Sequence, residues 1–181
     1  QNAIEFAVSE RLVDIRNNLL YRPDANLKRK ELAKYLVMGM SVRQHRDILN
    51  NEKMPLADVN GQYTPFIEAV TEVGSALKDR TQIQAPVMLT SEGIFSPQGN
   101  VTKEELAYSL VQGLGLEEQA RAFTGDITIE YNSERIAVLD TDQIAPELRG
   151  YVQAAIDMSL LNVTYKVEQG PYDLSPTVVA Y

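Results

Sequence analysis

A short amphipathic segment occurs three times in the chain, and an internal repeat of this kind constrains the fold more than any other feature of the sequence. The copies lie at residues 4–10 (IEFAVSE), 66–72 (FIEAVTE) and 151–157 (YVQAAID). In each copy the apolar residues recur at helical steps, as a helix with one buried face requires. The repeat therefore predicts three equivalent short helices.

Two of the copies are followed by a turn that contains an aromatic residue and a proline, and then by a second helical pattern. The turns lie at residues 21–23 and 95–97. The helices that follow are predicted from Lys28 to about Arg43 and from Thr102 to about Gln112. The third copy has a related turn at residues 170–176, and no second helical pattern follows it in the sequence.

Residues 126–139 differ in character from these helical units. An alternating run at 126–131, a turn at 132–135 and an apolar run at 136–139 predict a small β-hairpin. Residues 163–167 predict another short strand. The second unit also contains an insertion around Thr81 to Gly93, which we expect to form a solvent-facing loop.

Together these patterns predict a mainly α fold, with three pseudo-repeated two-helix units around a shared core and minor β-hairpins. The predicted units are residues 1–50, incomplete at the N-terminus, residues 51–123, and residues 124–181, which lack the second helix. A chain of 181 residues that is 44% hydrophobic has enough apolar material for a core of this size.

The composition of the chain removes much of the usual catalytic chemistry. There is no cysteine, which excludes disulfides, thiolate nucleophiles and cysteine-based zinc sites. His45 is the only histidine, so any Ser-His-Asp triad or zinc site would have to use it, and a surface position near a helix end explains it as well. We therefore predict that this chain is not itself an enzyme and has no catalytic residue, cofactor or metal.

The charge of the chain bears on its partners. The formal net charge is −8, which argues against an electrostatic grip on DNA, RNA or anionic lipid. No apolar run approaches the roughly 20 residues that cross a bilayer. Gln1 stands directly inside an amphipathic pattern without the features of a signal peptide, so the sequence reads as a piece of a longer chain.

The motifs around the predicted helices resemble those of S-layer homology repeats. In this family a two-helix unit has an Asp-Val before its first helix, an aromatic-x-Pro turn and a Thr-Arg-Ala-Glu-like start to its second helix. The resemblance covers nearly the whole chain. The residues that carry it are Asp58-Val59, Phe95-Ser96-Pro97 and Thr102-Lys103-Glu104-Glu105 in the central unit, Tyr21-Arg22-Pro23 and Lys28-Arg29-Lys30-Glu31 in the first, and Asp140 in the third.

A second resemblance is to the C-terminal region of secreted bacterial subtilisin-like serine proteases. It rests on residues 32–39 (LAKYLVMG) and on the run from residues 148–152 (LRGYV) to residues 169–174 (QGPYDL). The catalytic motifs of that family are not in this sequence. The resemblance implies a non-catalytic accessory module for attachment, assembly or stabilisation, a protease domain upstream in the same chain, and a secreted or cell-surface location in a bacterium.

The resemblance also implies a ligand-binding site. S-layer homology repeats in many bacteria bind anionic cell-wall polysaccharide through the arginine of the Thr-Arg-Ala-Glu motif, and Arg29 and Lys103 occupy that position. Glu31, Glu105 and Asp58 complete the candidate set, with cell-surface glycan as the alternative partner. Structural roles remain open: the cations as solvated charges at helix starts, Glu105 with Thr102 as a capping box, and Asp58 as a cap or turn former.

Overall fold

The computed structural model describes residues 2–9, 24–40, 42, 56–72, 84–169, 171 and 177–180. His45, the predicted turn at residues 21–23 and most of the turn at 170–176 lie outside these ranges. The contacts divide the chain into two compact units, residues 1–102 and residues 103–181.

The first unit contains a pair of packed helices. Its elements are α1 (Asn2–Ser9), α2 (Arg29–Gly39), a 3-10 turn (Gly61–Tyr63) and α3 (Thr64–Glu72). α2 packs against α3, because each helix buries apolar residues of its helical repeat on the facing side. The buried apolar side chains of this unit are Leu32, Ala33, Leu36, Val42, Ile67, Ala69, Val70, Val87, Met88 and Phe95.

The predicted solvent-facing loop at residues 81–93 is wrong for its central part. Val87 and Met88 are fully buried, and the Met88 N–H donates to the Val70 carbonyl at 2.8 Å. Residues 81–83 lie outside the described ranges, and within residues 84–93 the exposed part is the tip that follows Met88, where Glu92 and Gly93 have positive φ angles and close a tight turn. The segment is therefore anchored under its tip by apolar side chains.

The second unit combines helices with strands. Its helices are α4 (Lys103–Gly113), α5 (Glu117–Ala122) and α6 (Arg149–Asp157), with 3-10 turns at Thr141–Gln143 and Pro146–Leu148. Its strands are β1 (Thr128–Tyr131), β2 (Glu134–Ala137), β3 (Tyr165–Glu168) and β4 (Thr177–Ala180). β1 pairs antiparallel with β2, and β3 pairs antiparallel with β4.

α6 is the central element of the second unit and packs against both α4 and α5. Gly150 lies at the crossing with α5, where a Cβ atom would overlap the carbonyl oxygen of Ala120. The Gln153 side chain joins α6 to β1: its oxygen accepts from the Thr128 N–H at 2.7 Å, and its amide donates to the Thr128 carbonyl at 3.1 Å. The Gln153 side chain thus bonds to both backbone groups of Thr128, as the backbone of a neighbouring strand would.

The predicted mainly α fold is wrong, because strands build part of the core. Ile127, Ile129, Val138 and Ala180, which lie on or beside the strands, are buried together with residues of α4, α5 and α6. The parallel bridge between Val138 and Ala180 brings the two hairpins into this cluster. The fold is mixed, with small antiparallel sheets that complete a helical layer.

The prediction of three equivalent repeats around one shared core is also wrong. The three segments do lie on α1, α3 and α6, but α3 and α6 belong to different compact units. α1 also reverses the order found in α3: Ile67-Glu68 of α3 corresponds to Glu5-Phe6 of α1. The reversal moves the large apolar side chain by one position, about 100° around the helix, to the place that Glu68 has in α3, and Phe6 is 62% exposed.

Other local predictions are confirmed. The hairpin predicted within residues 126–139 forms from β1 and β2, and its turn is shorter than expected, with positive φ angles at Asn132 and Ser133. The strand predicted at residues 163–167 is found one to two residues later, as β3. α4 begins directly after Thr102, and Gly115 follows its end with a φ of 74°.

We predict that Gly150→Ala destabilises the second unit by about 3 kcal/mol, because the added methyl group forces α5 and α6 apart. Gly125→Ala is the matched control: its added Cβ would meet the Phe123 ring at 3.4 Å, an ordinary contact. Urea unfolding of both variants, followed by circular dichroism, measures the difference. Equal unfolding midpoints for the two variants would contradict the close helix crossing.

Candidate functional site

The candidate site lies at the start of α2, where the chain itself completes the helix end. Lys28, which precedes α2, has extended backbone angles, and its N–H donates to the Glu31 carboxylate at 3.0 Å. Glu31 therefore caps α2 from within its first turn, in the manner of one half of a capping box. This gives a predicted ligand-binding residue a structural role.

The backbone N–H groups in the first turn of α2 already have acceptors. The Arg29 N–H donates to the Gly99 carbonyl at 3.0 Å, and the Lys30 N–H donates to the Pro97 carbonyl at 3.1 Å. The N–H groups of Glu31 and Leu32 both donate to the Lys28 carbonyl. A helix start usually leaves such donors for a cap, for water or for an anion, and here the turn at residues 97–99 takes them.

The Arg29 side chain points into the first unit. Its Nε donates to the Phe95 carbonyl at 2.7 Å, and its Nη2 donates to the Leu89 carbonyl at 2.6 Å. The guanidinium carbon lies 4.8 Å from the centre of the Phe95 ring, and Arg29 is only 8% exposed. The planar fork thus joins two backbone carbonyls and stacks on an aromatic ring, which a lysine could not do.

Asp58 also bonds to the backbone around Phe95, at its N–H groups instead of its carbonyls. It lies in a turn closed by a 3.1 Å bond from the Val59 N–H to the Leu56 carbonyl. Its carboxylate accepts from the Phe95 N–H at 3.0 Å and from the Ser96 N–H at 2.6 Å. The backbone at Phe95 is therefore held twice, with its N–H bonded to Asp58 and its carbonyl bonded to Arg29.

The surroundings of Asp58 favour its charged form. Burial by itself would raise the pKa of this carboxyl group, but the N–H groups of Phe95 and Ser96 and the nearby Arg29 charge outweigh it. The net result is that the pKa of Asp58 lies below its usual value. Asp58 is therefore a carboxylate in the folded protein at neutral pH.

Two lysines on either side of Arg29 form an exposed polar surface. The Lys28 Nζ donates to the Asn100 side-chain oxygen at 2.6 Å, and the Lys30 Nζ donates to the Gln98 side-chain oxygen at 2.9 Å. The Lys30 Nζ also lies 5.3 Å from the centre of the Tyr63 ring. We call these five residues the lysine–amide face.

The structure brings together three of the five residues predicted for ligand binding. Arg29, Glu31 and Asp58 all surround the start of α2, and each of them contacts backbone groups. Lys103 and Glu105 lie in the first turn of α4, in the other compact unit, with Lys103 exposed and Glu105 half-buried. The predicted set is thus divided between two helix starts.

The lysine–amide face is not among the predicted site residues. One signal in the sequence could have indicated it. Residues 27–32 (LKRKEL) and 101–106 (VTKEEL) are similar helix starts, and each has an apolar residue at both ends. In the structure the chain just before the second start pairs with the first: Lys28 forms a bridge with Asn100, and the Val101 N–H donates to the Leu27 carbonyl at 2.9 Å.

A second polar cluster lies between the helices of the second unit. The Tyr151 hydroxyl donates to the Gln112 side chain at 3.3 Å, and Gln112 donates to Glu117 at 2.9 Å. The rings of Tyr108 and Tyr151 lie 4.8 Å apart, and burial raises the pKa of both phenols. Both tyrosines are therefore neutral at physiological pH, and the cluster acts as a hydrogen-bonded link between helices.

Metal-binding clusters and membrane-spanning helices are both absent from the described part of the chain. No group of three or more histidine, cysteine, aspartate or glutamate residues there is arranged to hold a metal ion. None of the helices there has both the length and the apolar character needed to cross a membrane. Comparison with protein-family models and with curated proteins finds no match to this chain.

We predict that Asp58→Asn destabilises the protein at neutral pH by about 1.5 to 3 kcal/mol, the usual contribution of hydrogen bonds to a charged group. Because the pKa of Asp58 is lowered by folding, its contribution is fully present above the unfolded pKa of about 4 and is lost as the pH falls through the folded pKa. Urea unfolding at neutral pH and near pH 2 measures the difference between Asp58→Asn and the parent, which we expect to shrink in acid.

The control for this measurement is Asp126→Asn, since the Asp126 side chain is 89% exposed and lies 3.9 Å from Arg149. Its difference from the parent should be small at both pH values. A difference for Asp58→Asn that stayed constant with pH would show that the charge of Asp58 does not stabilise the fold.

Proposed function

We propose that this chain is a non-catalytic accessory module, similar to S-layer homology repeats, of an exported bacterial subtilisin-like serine protease. Its role would be attachment, assembly or stabilisation of that protease at the cell surface or in the secreted state. The observation that carries the proposal is the double hold on Phe95: Arg29 and Asp58, two widely separated motif residues, meet at a residue of the third motif. Motif residues that bind one another in this way build a scaffold.

The nature of these contacts supports a scaffold role over a chemical one. Arg29 donates to backbone carbonyls, Asp58 accepts from backbone N–H groups, and Glu31 caps a helix. These interactions stabilise the polypeptide. They also occupy the charged groups of Arg29, Asp58 and Glu31, which are then bonded to the backbone and not directed at a substrate. The link to a protease domain upstream rests on the resemblance of residues 32–39 and 148–174 to the C-terminal region of that family.

We expect that deleting the whole module, residues 1–181, from the parent protease lowers the retention of the protease on the cell surface or shortens its active lifetime. The kcat/KM on a small peptide substrate should stay the same. Retention is measured by fractionating cells and medium, and lifetime by residual activity during incubation. Unchanged retention and lifetime would contradict the proposal. Hydrolysis of a peptide or ester by the isolated chain that disappeared in His45→Ala would also contradict it.

A second function, binding of cell-wall polysaccharide, is favoured by one specific feature, the lysine–amide face. Amide side chains bond to sugar hydroxyls, lysines attract carboxylates, and a tyrosine ring offers a surface for a sugar ring. The buried Arg29 fork is bonded to the Phe95 and Leu89 carbonyls. In this structure, Lys28 and Lys30 are therefore the cations of the first unit that we propose for contact with an anionic glycan.

We predict that replacing Lys28 and Lys30 together by alanine weakens binding to purified cell-wall polysaccharide by about tenfold, which corresponds to a loss of about 1.4 kcal/mol. Lys103→Ala is the matched control, because it removes an exposed lysine from the other helix start. Co-sedimentation with the polysaccharide measures binding, and urea unfolding checks that the fold is intact. Loss of binding in Lys103→Ala with normal binding in the double variant would place the ligand at α4 instead.

A further inference from the structure

Asn60 is followed by Gly61, and no other asparagine in the sequence precedes a glycine. The amide carbon Cγ of an asparagine side chain can be attacked by the backbone nitrogen of the next residue, which closes a five-membered ring. A side chain on that next residue hinders the attack, and glycine has none. Whether the reaction occurs in the folded protein then depends on the local structure.

The local structure leaves both reacting groups accessible. Asn60 and Gly61 are exposed. Asn60 precedes the 3-10 turn at Gly61–Tyr63, but its side chain does not cap that turn. Within the described ranges, neither the Asn60 side chain nor the Gly61 N–H has a hydrogen-bond partner. The attacking nitrogen and the attacked carbon are therefore not held by other bonds.

The backbone at this point has room for the rotation that ring closure requires. Asn60 is extended, with a ψ of 164°, so the peptide plane must turn before the Gly61 nitrogen can face Cγ. Gly61 has a φ of 80°, and a Cβ atom there would meet nothing within 4 Å. Because glycine adopts both signs of φ, a counter-rotation at the two residues can turn this plane while the flanking chain stays in place.

We propose that Asn60 is a modification site, at which the folded protein deamidates spontaneously through a cyclic imide. The Gly61 nitrogen gives up its proton to hydroxide and bonds to Cγ of Asn60. The bond from Cγ to the side-chain nitrogen breaks, and ammonia leaves with a proton from water. Water then opens the ring: attack at Cγ gives aspartate, and attack at the backbone carbonyl carbon gives isoaspartate. No oxidant or reductant takes part.

The modification changes the link between two anchored elements of the first unit. On one side of the link, Asp58 accepts from the Phe95 N–H, and on the other side α3 packs against α2. Both products add a negative charge at position 60. Isoaspartate also adds one atom to the backbone, because the chain then runs through the former side chain. The link becomes longer as well as more acidic.

Other asparagines of the same chain serve as internal controls. The full chain is incubated at neutral and mildly alkaline pH, digested with trypsin and analysed by mass spectrometry. The controls are Asn100, whose side chain accepts from the Lys28 Nζ at 2.6 Å, and Asn132, which is exposed but precedes Ser133. We expect Asn60 to be converted at least about tenfold faster than both, which corresponds to a barrier lower by about 1.4 kcal/mol. The rate should rise with pH, since the attacking nitrogen must lose its proton.

Two further measurements identify the route. Isoaspartate forms only through the ring, whereas direct hydrolysis of the side chain gives aspartate alone. Hydroxylamine opens the same ring and should cut the chain into residues 1–60 and 61–181. Asn60→Gln is the matched control, because it keeps the amide group but would need a six-membered ring. This variant should lose both the isoaspartate and the cleavage.

A synthetic peptide of residues 57–64 measures what the fold contributes, since it has the reacting groups without the structure around them. We expect the folded chain to react at a rate within about tenfold of the peptide. A larger reduction, which means a barrier raised by more than about 1.4 kcal/mol, would show that the fold protects Asn60 and would overturn the proposal. Conversion of Asn60 no faster than that of Asn132, or aspartate without isoaspartate, would overturn it as well.

Discussion

The first unit depends on the double hold on the backbone of Phe95. Asp58 and Arg29 approach this residue from separate segments and bond to its N–H and its carbonyl. Phe95 is completely buried, so without these partners its polar backbone groups would remain unsatisfied inside the unit at a substantial cost in free energy. One pair of opposite charges thus fixes where the segment from Leu89 to Gly99 lies against α2.

The same interaction decides which charges of the first unit are available to a ligand. A guanidinium that is bonded to two carbonyls and stacked on a ring is held in one direction, and moving it out would leave both acceptors unpaired. The ammonium groups of its neighbours Lys28 and Lys30 donate to exposed amide side chains, and those bonds exchange readily with water or with sugar hydroxyls. At the motif position, Arg29 therefore stabilises the fold, while Lys28 and Lys30 beside it contact the solvent.

Local features of this fold could be predicted from the sequence, and features that depend on distant partners could not. Helical periodicity and end residues were sufficient for α2, α4 and α6, and alternation was sufficient for the β1–β2 hairpin. The inward direction of Arg29 depends on carbonyls 60 and 66 residues away, and no local pattern encodes such a contact. The burial of Val87 and Met88 was missed for a similar reason, since a short apolar stretch without periodicity resembles a loop.

The contribution of the strands to the second unit explains both the failure of the helical prediction and the exposure of β3. α6 with its small residues comes close to α5 at Gly150, and Gln153 uses both ends of its amide to fasten β1. Ile127, Val138 and Ala180 then cover the helical layer, as far as the bridge between Val138 and Ala180. β3 lies one strand beyond that bridge, so its apolar side chains extend past the residues that bury the core. β3 reaches this cluster through its pairing with β4, so the exposure of Tyr165 and Val167 follows from the way in which the two hairpins complete the core.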